Sequence, residues 1–347
     1  MGDIIGKGTG LARRVSGLLS SEPLSLIDVG CSGGLHWAFR EFEPNLRALC
    51  FDPNISECKR LSSVEKNPLV KYISGFVGGD PNGELVKNRG NEPYLHRSPW
   101  GRLATSKSVE IRAQKMARKT NEQLTSENQW TKVELANPTK SLFLPDVLQA
   151  EGLPYLDVVK VDVDGCDFEI LESLKEHFKK VEVLCIIMEV NWVGSECPTD
   201  HTFHNTDRFL RSHGFDLFNF DVRRYSLRAL PGRYECPFPS QSEFGRPLQG
   251  DAVYARDLGD PAAQSPFKLT KEKVLKLAAL FDMFGLPDHS AEVLITHREK
   301  VGPVEPLLDY LAESSTEEGK GGYDAYLKRF LADDPVFYPP PECKPRS

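Results

Sequence analysis

Apolar residues recur along the chain in short runs separated by longer polar stretches. Runs at Leu24–Val29, Leu46–Asp52, Val70–Phe76, Leu156–Asp162, Val183–Glu189, Phe215–Val222 and Asp251–Ala255 each predict a strand. Between several of them the period changes. Phe168, Leu171, Leu174 and Phe178 recur at the helical repeat and predict a helix over Asp167–Lys179. Asp207–His213 predicts another, stopped by Gly214, and Ala12–Leu19 a third before the first strand. Strands alternating with helices imply an α/β fold with a mostly parallel sheet and helices on both faces.

In such a sheet, ligands bind beyond the carboxyl ends of the strands. Asp28, Asp52, Asp162 and Glu189 each close an apolar run, so the pattern places all four on one rim. The first opens into a turn, Asp28–Gly34, with glycines at 30, 33 and 34. Glycine lets the backbone take positive φ and lets a ligand approach closely. A helix beginning at Leu35 would add free N–H groups facing that ligand. A dinucleotide turn has the pattern G-x-G-x-x-G. Here Ser32 and Leu35 occupy the positions of its second and third glycines. A carboxylate at Asp28 instead suits a ligand with an amine, such as the methionine end of S-adenosylmethionine (SAM). The alternative is a strand-to-helix turn without a ligand. Asp52 lies 24 residues after Asp28, near the offset at which an acid accepts ribose hydroxyls. Its alternative is an N-cap or turn aspartate.

Three charges interrupt the β-branched run Val158–Gly165. Lys160, Asp162 and Asp164 alternate onto one face. They predict a local ion pair of Lys160 with either acid, a polar cluster near a reacting centre, or both. His201 and His204 follow Glu189 in the next loop. A histidine there could act as general base, or the two could join Asp162 or Glu189 around a metal. Solvated loop histidines are the alternative, and no spacing is specific for a metal.

Hydrophobic residues are 40% and charged residues 27% of the chain, the balance of a soluble globular protein. The net charge of -7 gives the chain as a whole no affinity for nucleic acid. No apolar run is long enough to span a membrane, and Met1–Gly10 lacks the apolar core of a signal peptide. The eight cysteines are scattered without a CxxC pair. They read as reduced thiols of a cytoplasmic protein rather than as disulfides or a zinc site.

The stretch Gly78–Asn137 is polar and locally basic. It predicts an insertion over the rim, with a hairpin near Val109–Ile111 and Thr131–Leu135, or else a solvated excursion. Its Tyr94, His96, Trp100 and arginines suit a sugar ring or a phosphate or carboxylate group on an acceptor, with core packing the alternative for Trp100. Beyond a linker at Asp257–Pro266, three apolar stripes around Val274–Phe284, Val304–Leu311 and Tyr323–Phe330 predict amphipathic helices. They are too short for a core of their own, so they dock on the main domain or on a second copy of the chain. The division expected is a domain over 1–257, with the insertion at about 78–137, and a helical C-terminal extension over 258–347.

Ile27–Gly34 (IDVGCSGG), Phe51–Asn54 (FDPN), Val158–Leu171 (VVKVDVDGCDFEIL) and Ile186–Val190 (IIMEV) together resemble the FkbM family of SAM-dependent methyltransferases. The resemblance spans residues 24–256, and the K-x-D-x-[DE]-G step is its most specific part. It implies a Rossmann-like class I fold with a seven-stranded sheet whose last strand, at Gly250–Asp257, runs antiparallel. It implies SAM as cofactor and methylation of a hydroxyl on a sugar, glycan, polyketide or related metabolite. By matching position, Asp28, Gly30, Cys31, Ser32 and Gly34 would lie along the methionine portion of SAM, and Asp52 against its ribose. Lys160, Asp162 and Asp164 fall on the signature of the fourth strand. His201 and Asp162 are then the candidate bases, with Lys160 in the same cluster and Asp162 also a cofactor contact. Ser32 departs from the usual middle glycine, and Asp164 stands where the family often has glutamate. A nicotinamide-dependent oxidoreductase and a non-catalytic module with a vestigial pocket are the competing readings.

Overall fold

The computed structural model describes residues 4–19, 22–79, 141–153, 155–163, 165–180, 182–194, 196–225, 242–263 and 265–332. Most of the basic insertion, including both arms of the expected hairpin, and Asp164 lie outside the described residues.

The strands are β1 (Leu24–Val29), β2 (Leu46–Asp52), β3 (Val70–Ser74), β4 (Val77–Gly78), β5 (Leu142–Phe143), β6 (Val158–Val161), β7 (Cys185–Asn191), β8 (Asp216–Phe220), β9 (Arg223–Tyr225) and β10 (Arg246–Ala255). The main sheet runs β3-β2-β1-β6-β7-β10-β8, with β9 added to β10. Neighbours from β3 to β7 pair in parallel, and β10 is antiparallel to both β7 and β8. This is the seven-strand order with a reversed last strand that the resemblance implied.

The central strands β1, β2, β6 and β7 are buried on both faces, as a parallel sheet requires, while the edge strands β3 and β8 are partly exposed. Leu24, Leu26, Ala48, Cys50, Val158 and Ile187 face one apolar layer. Ile27, Val29, Leu49, Phe51, Val159 and Val161 face the other. Helices Leu144–Glu151, Asp167–Ser173 and Phe203–Ser212 contribute to the second layer.

The first layer differs from expectation in two ways. No helix begins at Leu35. Gly34 N–H closes a turn onto Cys31 carbonyl oxygen (2.8 Å), and a short 3-10 helix follows at Trp37–Phe42. The His36 side chain accepts from Ala38 N–H and fixes that late start. The space is filled instead by the C-terminal helices, which dock on the chain's own sheet. Helix Lys271–Met283 is buried on nearly every side and belongs to this layer. Its Lys273 and Lys276 are 0% exposed. They reach Asp157, at the amino edge of β6, at 2.6 and 3.0 Å. Glu22 adds a second carboxylate, 2.8 Å from Lys276. The third stripe forms helix Tyr323–Ala332, which buries no residue.

Other boundaries shift for local reasons. The third strand ends at Ser74, because Val77–Gly78 leaves the sheet to pair with β5. The helix expected over Asp167–Lys179 breaks after Ser173, where Leu174 N–H turns back to Leu171 carbonyl oxygen, and resumes at His177–Lys180. Helix Phe203–Ser212 starts four residues before the expected Asp207. The last strand begins at Arg246 rather than Asp251, so β10 overshoots the sheet and carries β9 with it.

Candidate functional site

Register decides what the rim presents. Phe51, Val29, Val161 and Met188 form one transverse row across β2, β1, β6 and β7. The next residue on each strand is Asp52, Gly30, Asp162 and Glu189. Asp251 of β10 pairs with Glu189 and extends this row. Asp221 N–H bonds Asp251 carbonyl oxygen (2.9 Å) and adds a further acid. Asp28 lies one pleat deeper, in register with Cys50 and Lys160.

Asp28 and Lys160 are 1% and 5% exposed. Lys160 Nζ stands 2.5 Å from Asp28 Oδ1 and 4.0 Å from Asp162. The chief partner of Lys160 is therefore the acid across the strand pairing, because Asp28 is its register neighbour and Asp162 is two residues up the same strand. Burial works against the Lys160 ammonium, but Asp28 and Asp162 outweigh it and hold its pKa above the ordinary lysine value. Burial pushes the Asp28 carboxyl upward, with Lys160 opposing.

The glycine turn lies between the two rim acids of β2 and β6. Gly30 and Cys31 N–H groups bond Phe51 carbonyl oxygen at 2.9 and 3.0 Å. Asp162 N–H bonds Val29 carbonyl oxygen at 2.9 Å. Gly30 has φ of 92°, and a Cβ there would lie 1.9 Å from the Asp162 carbonyl oxygen. Only glycine permits that approach of β1 to β6. Gly33 also has positive φ, yet a Cβ there would meet nothing within 4 Å. Cys31 is buried, while Ser32 and Gly33 are exposed. Asp52 Oδ1 accepts from Asn54 N–H at 2.7 Å, and burial raises its carboxyl pKa. The open edge of the turn, flanked by Asp52 and Asp162, fits an adenosyl amino acid lying across β2, β1 and β6. A cleft of about 280 Å³ opens against the turn and is lined by Gly33, Gly34, Leu35, Arg40, Leu61 and Tyr72, with no rim acid in its wall.

On the β7 side, buried acids accumulate. Glu189 is 6% and Asp251 0% exposed. Gln249 Nε2 donates to Glu189 Oε2. Arg223 reaches Asp251 at 2.7 Å and Glu189 at 3.7 Å. One arginine does not offset the burial of both acids. Burial, with Asp167 and Asp162 nearby, pushes Glu189 up to about 9. Burial likewise takes Asp251 up to about 6.

His201 is folded into this region rather than solvated. Its Nε2 lies 2.8 Å from the Glu189 carbonyl oxygen, and its Nδ1 lies 3.3 Å from Asp167 Oδ2 and from Asn191 Nδ2. Burial holds its pKa below the ordinary histidine value. His204 is exposed on the next helix and meets Thr202. Among the described residues, no group of three or more His, Cys, Asp or Glu side chains could hold a metal ion. No helix among them is long and apolar enough to cross a membrane.

Asp167, Asp251, Arg223 and Gln249 were not singled out by the sequence reading. Arg223, Gln249 and Asp251 meet only through the antiparallel pairing of β9 and β10, which no local pattern encodes. Asp167 could have been found: it follows the strand signature directly, and its charge at the buried start of a helix is unusual.

Sheet order, reversed last strand and glycine turn define a class I, SAM-dependent methyltransferase fold. The family model described as "Methyltransferase FkbM domain" matches residues 42–217, just over half of the chain. The chain belongs to the FkbM methyltransferase family. No curated protein matches it. Among solved structures, magnesium protoporphyrin IX methyltransferase from Synechocystis PCC 6803, with bound SAM, is similar at 9% identity and a TM-score of 0.30, over 71% of this chain and 80% of that one. Precorrin-6y C5,15-methyltransferase from Geobacter metallireducens GS-15 is similar at 10% identity and a TM-score of 0.29, over 70% and 87%. These likenesses are remote.

Proposed function

We propose that this methyltransferase methylates a hydroxyl group of a sugar, glycan or related metabolite, with the acceptor bound along the β6–β7 side of the rim. The observation that carries this reading is the transverse row in which Asp52 and Asp162 flank Gly30. Asp52 would hold the ribose hydroxyls. The turn Gly30–Gly34, with Cys31 and Ser32, would follow the methionine portion, and the Asp28–Lys160 pair beneath would set its electrostatics.

Bound SAM supplies an electrophilic methyl on a sulfonium that leaves as a neutral thioether. The protein's share is to orient the acceptor oxygen in line and to take its proton. Asp162 is the rim carboxylate best placed for both tasks, since its side chain is 26% exposed while Asp28 and Glu189 are closed off. Lys160, 4.0 Å away, orients it. His201 has both ring nitrogens engaged, so its role is to brace the end of β7 rather than to meet the acceptor.

The partly exposed carboxylate of Asp162 offers a hydrogen-bond acceptor of the kind that binds a ring hydroxyl. The test is transfer of labelled methyl from SAM to a panel of glycans, nucleotide sugars, phenols and amines. Label on a sugar hydroxyl supports the reading. Label only on nitrogen, or loss of label transfer without loss of SAM binding across all hydroxylated acceptors, contradicts it.

A further inference from the structure

We propose that Asp167 is a positioning residue for the methyl-transfer site: it ties the loop that presents Asp162 to the end of β7 through His201. The inference rests on the proposed reading of Asp162, and on its also contacting the cofactor where it flanks Gly30, and it adds a residue that contacts neither cofactor nor acceptor.

The geometry is a continuous strut. Asp167 begins the helix after the signature strand and is 0% exposed. Its Oδ1 accepts from Val163 N–H at 2.7 Å, and its Oδ2 accepts from Gly165 N–H at 3.4 Å. Those two amides flank the turn that leaves Asp162, so the carboxyl group sets where Asp162 stands. The same Oδ2 lies 3.3 Å from His201 Nδ1. The other ring nitrogen, Nε2, lies 2.8 Å from the Glu189 carbonyl oxygen. A carbonyl oxygen only accepts, so Nε2 carries the ring proton and Nδ1 is the acceptor. Asn191 Nδ2 donates towards that same Nδ1 and towards the His201 carbonyl oxygen, both at 3.3 Å. Nδ1 has one lone pair, shared at 3.3 Å between Asn191 Nδ2 and Asp167 Oδ2, and the Asp167 oxygen is favourable beside it only if Asp167 contributes a proton to the contact.

Burial supports this protonation. It pushes Asp167 up to about 8, with Asp162 adding to the rise, and it lowers His201. A neutral Asp167–His201 link thus joins two rim strands beneath the reacting groups, and no charge is buried unpaired in the process.

The neutral link makes a sharp substitution test. Asp167→Asn keeps an oxygen for Val163 N–H and supplies an N–H to His201 Nδ1. Asp167→Leu keeps the branched shape and removes both. Calorimetry of SAM binding is the readout, with melting curves to establish folding. Asp167→Leu is expected to weaken SAM about tenfold, and Asp167→Asn to stay within about threefold of the parent. Because Asp167 acts through Asp162, adding Asp167→Leu to Asp162→Ala should weaken binding no further than Asp162→Ala alone. His201→Phe, which keeps the ring and cuts the strut, serves if Asp167→Leu does not fold, and is expected to weaken SAM about fivefold.

The proposal is overturned if the two losses add in full, if Asn is as damaging as Leu, or if the strut variants bind SAM like the parent while Asp162→Ala does not. Unaltered affinity in Asp162→Ala overturns instead the reading of Asp162, and the positioning role with it.

Discussion

Lys160 and Asp28 are register partners on adjacent parallel strands, and their charged atoms lie 2.5 Å apart under the glycine turn. Neither reaches solvent to any extent, so each is the other's main compensation for lost water. Removing one partner of a buried pair leaves an uncompensated charge and costs about 3–5 kcal/mol. Lys160→Met and Asp28→Leu are each expected to lower unfolding free energy by about that amount, and the double variant by less than their sum. Denaturant titration measures all three. Single variants as stable as the parent would remove the pair from the account.

The glycine turn separates two reasons for glycine. At Gly30 both the positive φ and the Asp162 carbonyl oxygen forbid a side chain. Gly30→Ala should cost on the order of 3 kcal/mol or more and abolish SAM binding. At Gly33 only φ opposes substitution, because the space beyond is open. Gly33→Ala should cost about 1 kcal/mol of stability and lose SAM affinity only through what its methyl displaces. Equal effects at the two positions, read by melting and calorimetry, would contradict the turn as described.

Glu189 and Asp167, raised by burial to about 9 and about 8, give the fold a pH dependence. Their unfolded carboxyls titrate near their ordinary values, 4.5 and 3.8. Between those values and the raised ones the folded chain binds more protons than the unfolded chain. The stability they contribute is complete below the lower values and is lost as pH rises towards 8–9. The melting temperature should fall from pH 6 to pH 9, and Glu189→Gln should flatten the fall. A melting temperature that rises over this range, in parent and variant alike, would show that these acids are ionised in the folded chain.

The C-terminal helices are expected to be inseparable from the sheet. Asp157 is 0% exposed between Lys273 and Lys276 and also accepts from Ser25 N–H at 2.9 Å. Asp157→Ala leaves two buried ammonium groups with only the more peripheral Glu22 and Glu182, and should cost about 3–5 kcal/mol. A chain ended at residue 257 should fail to fold, since it exposes the apolar layer that Lys271–Met283 covers. Soluble, SAM-binding protein from that truncation would make 258–347 a dispensable appendage.

Much of this was legible in the sequence, for identifiable reasons. Acids at 52, 162 and 189 fell into one rim because parallel strands put equivalent ends together, whereas Asp28, expected there too, lies one pleat deeper on its strand. The partner of Lys160 was misjudged because spacing within one strand shows Asp162 but not the neighbour across the pairing. His201 was read as a candidate base, with a solvated loop residue as the alternative, because a polar local sequence hides the burial imposed by β7 and the helix at Asp167, which engages both ring nitrogens. The short helix after the glycine turn was missed for a similar reason: its place on the sheet is taken by a helix from the far end of the chain. Arg223 and Gln249 depend on β9 and β10, whose pairing is long-range and antiparallel.

The central claim is that the carboxyl edge of β2, β1 and β6 binds SAM, with Asp52 on its ribose. Titration calorimetry of SAM into the parent and Asp52→Ala addresses it most directly. The account predicts one site in the parent, and affinity lower by about 10–100-fold in the variant through loss of charge-assisted hydrogen bonds, with the melting temperature lowered only by the lost Asn54 N–H contact. No heat of binding in the parent, or equal affinity in the variant, would contradict it.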